Sequence, residues 1–484
     1  MIWPKQKNMG NKMSTGDDTS ACYIPATRLI ELYEWKTLSP VEVTKEALAR
    51  IDEVNDAVNA FCLVDEEGAL AQARESEERW MKGEPQGLTD GVPGSVKDLL
   101  MVKGQATRRG SKTTDENALE RFDAPAVARL REHGAVIIGR TTTPELGWKG
   151  ITDNPLHGIT RNPWDTSKTP GGSSGGASAA AALGMAHLNI GTDGGGSVRI
   201  PAGFTGVFGL KPTFGRVPVH PPSAMGTLSH VGPLTRTVED AAMMMNVMVQ
   251  PDPRDWHSLP YDPWDFRTGL DLGVRHLAVA FSPNLGYVKV DGEVAAIVAD
   301  AVKVLEEQGA NIEETDPGFD DPIEIFNAHW DWGAARVVAQ HSADQQAEMD
   351  PGLLAIAERG RSLTLDSYTD AVDARVDLGR RMNLFFESYD LLVTPALPIP
   401  AFEAGVDVAD AKTQEGWPDW TPFTYPFNLT GHPACVVPCG FTESGLPVGL
   451  QIVGPRYADP LVMRAAGAFE QLRPFVMPEA PKTA

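Results

Sequence analysis

Residues Gly191–Ala202 read GTDGGGSVRIPA and place Gly194, Gly195 and Gly196 in succession before Ser197. Glycine gives up more conformational freedom on folding than any other residue. Such a run weakens a helix or strand and marks a point that needs bare backbone. Leu188–Gly191 reads as a strand delivering this motif, and Ser178–Gly184 as an alanine-rich helix before it. The alternation extends in both directions. Upstream, Ser39-Pro40-Val41-Glu42 is a capping box with proline at the first helical position, and its helix runs on through Ala47, Leu48, Ile51 and Val54. Helices follow over Glu66–Lys82 and Ala124–His133, with a strand entering a turn in Gly91–Gly104 and a short buried strand at Ala135–Arg140. Downstream, Val238–Val249, Val294–Gln308 and Asp459–Leu472 read as helices; His276–Pro283, Asp390–Pro398 and Gly449–Pro455 carry strands. This pattern predicts an α/β fold with one sheet layered by helices. The region 310–425 breaks it, being more helical and rich in aromatics, among them Trp330, Trp332, Trp417, Trp420, Phe423 and Tyr425.

A length of 484 residues fits two or three domains. The lack of an internal repeat or low-complexity linker points instead to one large domain over 21–478, behind a disordered tail at 1–20. Asp and Glu outnumber Lys and Arg by 65 to 42, giving a net charge of −23. Such a surface repels phosphate backbones and anionic membranes, which argues against nucleic-acid binding. The longest uncharged run, Thr169–Thr192, has too much Gly and Ser for a membrane helix. The N-terminus lacks a signal peptide's apolar core. Cys22, Cys62, Cys435 and Cys439 form no CxxC pair and read as reduced thiols of a cytoplasmic protein, the last two as small core residues of a buried strand. No HExxH motif and no Cys/His cluster at ligand spacing is present, so no metal site is expected.

Three segments carry the chemistry. Lys97 sits between Val96 and the apolar pair Leu99-Leu100. Apolar surroundings lower a lysine's pKa, and a neutral amine can act as a general base. Ser173 lies among glycines in TPGGSSGGASAA and can relay a proton from a serine nucleophile to that amine. The glycines before Ser197 let successive N–H groups converge on the oxygen of an attacked carbonyl. Gly194, Gly195, Gly196 and Ser197 are therefore the candidate oxyanion donors. Two alternatives fit less well. A phosphate loop needs a terminal GK[ST], which is missing. The Gly-x-Ser-x-Gly around Ser174 follows a loop and not the strand that a nucleophile elbow requires.

These residues resemble the amidase signature family. The resemblance rests on Gly171–Ala180 and Gly191–Val217, and extends to Gly91–Leu100, Arg140–Gly147, Gly232–Ala242, Phe427–Gly440 and Gly445–Pro455, in the family's order. It covers about residues 25 to 475. It implies a single α/β/α domain around a large mixed sheet and a Ser–cis-Ser–Lys triad: Ser197 as nucleophile, Ser173 as relay, Lys97 as base. Ser174 is then a hydrogen-bonding member of the network, and Asp193 and Arg199 brace the nucleophile loop. The implied chemistry is amide hydrolysis through an acyl-enzyme, with no cofactor. Many members carry a larger residue where this chain has Gly194, so a roomier or more mobile loop is expected.

The resemblance leaves the substrate open among small or medium hydrophobic amides, esters and carbamates. The family also includes the glutaminase subunit of tRNA-dependent amidotransferases. Its charged Gly-x-Glu-Val-Lys-Arg-Arg segment is absent from the corresponding stretch, Asp366–Asp390. No exposed apolar element suggests a membrane-binding amidase. A non-catalytic scaffold is disfavoured by the intact Lys97, Ser173 and Ser197. A homodimer is a family-level expectation. Most of the aromatic set, with Trp148, reads as core, and one or two members as pocket lining.

Overall fold

The computed structural model describes residues 20–481. The tail expected at 1–20 lies outside the described residues apart from Ser20. Strands β1 (Phe61–Val64), β2 (Pro93–Lys97) and β3 (Val136–Thr141) precede a short hairpin of β4 (Asp153–Asn154) and β5 (Gly158–Ile159). The centre is formed by β6 (Leu188–Asp193), β7 (Phe208–Lys211) and β8 (His230–Thr235). The remaining strands are β9 (Ala278–Phe281), β10 (Asn311–Glu314), β11 (Leu391–Pro395), β12 (Ala434–Phe441) and β13 (Pro447–Val453). Eleven strands form one sheet in the order β1-β3-β2-β6-β8-β7-β12-β13-β11-β9-β10. Parallel pairing joins β3, β2 and β6, and again β11, β9 and β10, while the strands between pair antiparallel. The sheet is mixed and flanked by helices.

Side chains alternate across a strand, and here each face feeds its own apolar cluster. Leu391 and Val393 join one cluster, together with Val96, Ile190, Cys435 and Ile452; Leu392 and Val453 join the other. The first cluster is closed by helices Ala26–Glu34, Val238–Met248, Gly292–Glu307 and Asp459–Leu472. Lys97 follows Val96 and so projects through the opposite face, toward the helix Gly175–Ala182.

Most elements fall where the sequence places them. Ser39 and Glu42 close their capping box at the start of helix Pro40–Val58. Cys435 and Cys439 are buried free thiols in β12. The alanine-rich helix begins at Gly175, three residues earlier than expected, because Thr152 Oγ1 accepts the Gly175 N–H at 3.0 Å and buried packing offsets the low helix propensity of glycine. Region 310–425 holds helices Ile323–Val338, Ala343–Gln346, Pro351–Ser362 and Leu365–Phe385 as well as β10 and β11. Among the described residues no helix is long and apolar enough to cross a membrane.

Candidate active site

Three consecutive features converge at the C-terminal ends of β2 and β6. Lys97, the last residue of β2, is fully buried. Its Nζ lies 2.6 Å from Ser173 Oγ, 2.9 Å from Ser174 Oγ and 2.9 Å from Thr192 Oγ1. The peptide bond between Gly172 and Ser173 is cis. Burial pushes the Lys97 amine well below its ordinary pKa, and the more distant negative charge of Asp193 opposes this only in part. The proton inventory follows from the partners. Ser174 Oγ accepts the Thr192 N–H at 3.2 Å and its own hydrogen points to Thr192 O at 3.1 Å. Toward Lys97 it can only accept. A neutral amine that donates to Ser174 and Thr192 has one lone pair left, and the Ser173 hydroxyl is the group placed to donate into it.

Ser197 follows the glycines and is 3% exposed. Its carbonyl accepts the Ser174 N–H at 3.1 Å, which ties the two serine-bearing turns together. Among the described residues its hydroxyl has no hydrogen-bond partner.

Asp193 and Arg199 form a fully buried ion pair: Arg199 Nε donates to Oδ2 and Nη2 to Oδ1, both at 3.0 Å. Burial alone would raise the Asp193 carboxyl. The Arg199 charge and hydrogen bonds outweigh it and hold the group below the usual carboxylate range. Asp193 also accepts the N–H of Gly196 at 2.8 Å and of Val198 at 3.2 Å. This corrects the expected donor set. The Gly196 N–H is already spent on Asp193, so Gly194, Gly195 and Ser197 remain. Asn428, which sequence reading passed over, donates to Asp193 Oδ1 at 2.8 Å, and Arg199 reaches the Thr424 carbonyl and Gln451 Oε1.

Close packing accounts for the glycine run. A Cβ on Gly196, whose φ is +132°, would fall 2.3 Å from Thr424 Oγ1. On Gly195 it would stand 2.6 Å from Trp417 and 2.7 Å from Phe326; on Gly194, 2.9 Å from Trp330. The expected roominess at Gly194 is therefore absent, because the Trp330 indole fills that space. Phe326 stacks on Trp330 with ring centroids 5.3 Å apart, and Trp417 meets both rings edge-on. Trp148, Trp330 and Trp417 also line a cavity of about 760 Å³, while Trp420, Phe423 and Tyr425 are core and Trp332 is exposed. The cavity carries the carboxylates of Glu324, Asp331, Asp370, Asp407, Glu415 and Asp419 against one guanidinium, Arg359. Phe326 could have been found from its place one helical turn before Trp330. Thr192 gives only the faint signal of a hydroxyl in the strand beside β2.

The amidase family pattern matches residues 42–463. An acylamidase of Rhodococcus erythropolis is 38% identical over 460 residues, covering 94% of this chain and 96% of that protein. A glutamyl-tRNA(Gln) amidotransferase subunit from Alkaliphilus metalliredigens is 34% identical over 466 residues, covering 91% of this chain and 94% of its own. A solved bacterial aryl acylamidase belonging to the amidase signature enzymes is similar with a TM-score of 0.88 and 31% identity, covering 93% of this chain and 96% of that one.

Proposed function

The chain belongs to the amidase signature family and is an amide-hydrolysing enzyme, and we propose that it cleaves small to medium uncharged aryl or alkyl amides through an acyl-enzyme on Ser197. The carrying observation is the Lys97 amine, fully buried among three hydroxyls with Ser173 placed to donate into its lone pair. Ser173 passes its proton to Lys97 Nζ and takes the proton of Ser197. Ser197 Oγ then bonds to the carbonyl carbon. The oxyanion accepts hydrogen bonds from the N–H groups of Gly194, Gly195 and Ser197. As the C–N bond breaks, the proton returns through Ser173 to the leaving nitrogen, and water hydrolyses the ester. Esters and carbamates present the same carbonyl and belong to the proposed range.

The aromatic rings against the glycines favour an apolar substrate. The six cavity carboxylates disfavour an anionic one. On the proposal that substrate approaches Ser197 by way of this cavity, that tells against glutamine, which carries an α-carboxylate. The relatives acting in amidotransferases still make a glutaminase assay a necessary arm.

Incubation with a fluorophosphonate, read by intact mass, tests the assignment beside Ser197→Ala and Lys97→Ala. One adduct on the parent and none on Ser197→Ala is expected, with turnover of anilides above that of glutamine. Equal labelling of Ser197→Ala would move the nucleophile elsewhere, Ser174 first.

A further inference from the structure

A second cluster of reactive side chains lies behind Lys97. Cys62 stands in β1, Asp98 directly follows β2, and His157 sits in the turn between β4 and β5. A sulfur, a carboxylate oxygen and a ring nitrogen of these residues all lie within 4.8 Å of one another. Asp98 is 1% exposed; its Oδ1 accepts from Arg140 Nε at 2.8 Å and from the Arg108 N–H at 3.2 Å. Its other oxygen, Oδ2, is buried and makes no hydrogen bond to any described group. The buried Nε2 of His157 is likewise unpartnered. Buried polar atoms are normally paired, and each exception calls for a reason.

We propose that Cys62, Asp98 and His157 bind one divalent cation of the zinc class. Thiolate, imidazole and carboxylate are the donors that zinc takes, and three protein ligands leave a fourth position for solvent. Tetrahedral zinc sets its ligand atoms roughly 3.3–3.8 Å apart, so side-chain rotation of about an ångström closes the set. The cysteine proton leaves to solvent on binding. Thiolate and carboxylate then supply two negative charges against three positive ones, those of the cation and of the buried Arg140 guanidinium paired with Asp98. Arg140, held on Oδ1, fixes the orientation of Asp98 as outer partners do in metal sites. His157 is fixed through its backbone: its N–H donates to Asn154 Oδ1 at 2.6 Å, and its carbonyl accepts from Asn59 Nδ2 at 2.8 Å. Cys62 and His157 are each only partly buried, so the cluster lies near the surface although the His157 Nε2 and Asp98 Oδ2 atoms are themselves covered. The donors come from three separate segments, so the linear spacing that argued against a metal does not register them.

The test is titration of the chelator-treated full-length protein with Co²⁺, followed by absorption. A thiolate-to-cobalt charge-transfer band is expected to saturate at one ion per chain and to be displaced by Zn²⁺. Cys62→Ser should abolish the band while keeping the fluorophosphonate adduct, which shows that the variant is folded. His157→Ala should weaken binding by about tenfold or more. Absence of the band, its survival in Cys62→Ser, or unchanged affinity in His157→Ala overturns the proposal. None of these readouts depends on which amide the enzyme cleaves.

Discussion

The indole of Trp330 lies against the α-carbon of Gly194 so closely that a methyl group there would stand 2.9 Å from its Cζ3. The ring has little freedom to retreat. It is 4% exposed, and its Nε1 donates to the Trp148 carbonyl at 3.0 Å. Overpacking a filled site costs about 1–3 kcal/mol. Gly194→Ala should lose that much stability in denaturant unfolding and should also lower kcat by displacing an oxyanion donor. Trp330→Leu in the same background should recover part of both. Additive effects of the two substitutions would show that they do not act through this contact.

The buried Lys97 amine predicts opposite effects on activity and stability. Removing a general base costs about 10²–10⁴-fold in rate, so Lys97→Met should fall by that much in kcat. In the parent, kcat/KM should be lost as pH falls through the depressed pKa of Lys97, well below the ordinary lysine value. For stability the sign is reversed. Between the folded and unfolded pKa values the unfolded chain binds more protons, so stability rises with pH and reaches its full value only above about pH 10.4. Lys97→Met should therefore match or exceed the parent in stability near neutrality, and the difference should shrink as pH rises. A Lys97→Met protein that is markedly less stable at pH 7 would contradict a neutral buried amine.

How much of this was visible in the chain depends on the distance over which each interaction acts. The capping box at Ser39 and the helices Glu66–Lys82 and Asp459–Leu472 are local patterns, and they appear at the expected residues. Lys97 is legible as a candidate because Val96 before it and Leu99-Leu100 just beyond Asp98 are apolar. The Gly196 N–H was misassigned because Asp193, three residues back, captures it through a side-chain geometry that spacing does not reveal. Trp330, Trp417 and Thr424 reach the glycines from more than a hundred residues away. The sequence could mark the need for bare backbone but not what presses on it.

Asp193 and Arg199 should behave as a buried pair in which removal of one partner exposes the other. Breaking such a pair costs about 3–5 kcal/mol, and Asp193→Asn should lose stability of that order in urea. The Gly196 and Val198 N–H groups lose a charged acceptor at the same time. The loop should shift and kcat should drop by about 10²-fold, as small misplacements at a reacting centre do. The folded Asp193 carboxyl is held below its unfolded value, so its contribution is complete above about pH 4 and is lost as pH falls through the folded value. Parent and Asp193→Asn should therefore differ most near neutrality and converge in strong acid. An equal difference at both ends of that range would assign the loss to packing and not to charge.

Charge in the cavity predicts a graded substrate preference. Six carboxylates and one guanidinium line the cavity bordered by Trp330 and Trp417, the two rings that also pack against Gly194 and Gly195. Arg359 is engaged with Asp331 at 2.8 Å and Lys149 with Asp407 at 2.8 Å, which leaves Glu324, Asp370, Glu415 and Asp419 without a cationic partner among the described residues. A neutral anilide should enter readily, and the same anilide bearing a carboxylate should be repelled during approach. The effect belongs in kcat/KM more than in kcat, because the repulsion acts before the carbonyl meets Ser197. A penalty on the order of tenfold at low salt is expected, shrinking as ionic strength shortens the screening length to about 8 Å. Asp370→Asn and Asp419→Asn together should narrow the gap further. If the anionic anilide is hydrolysed as well as the neutral one at every salt concentration, substrate reaches Ser197 by a path that avoids this cavity.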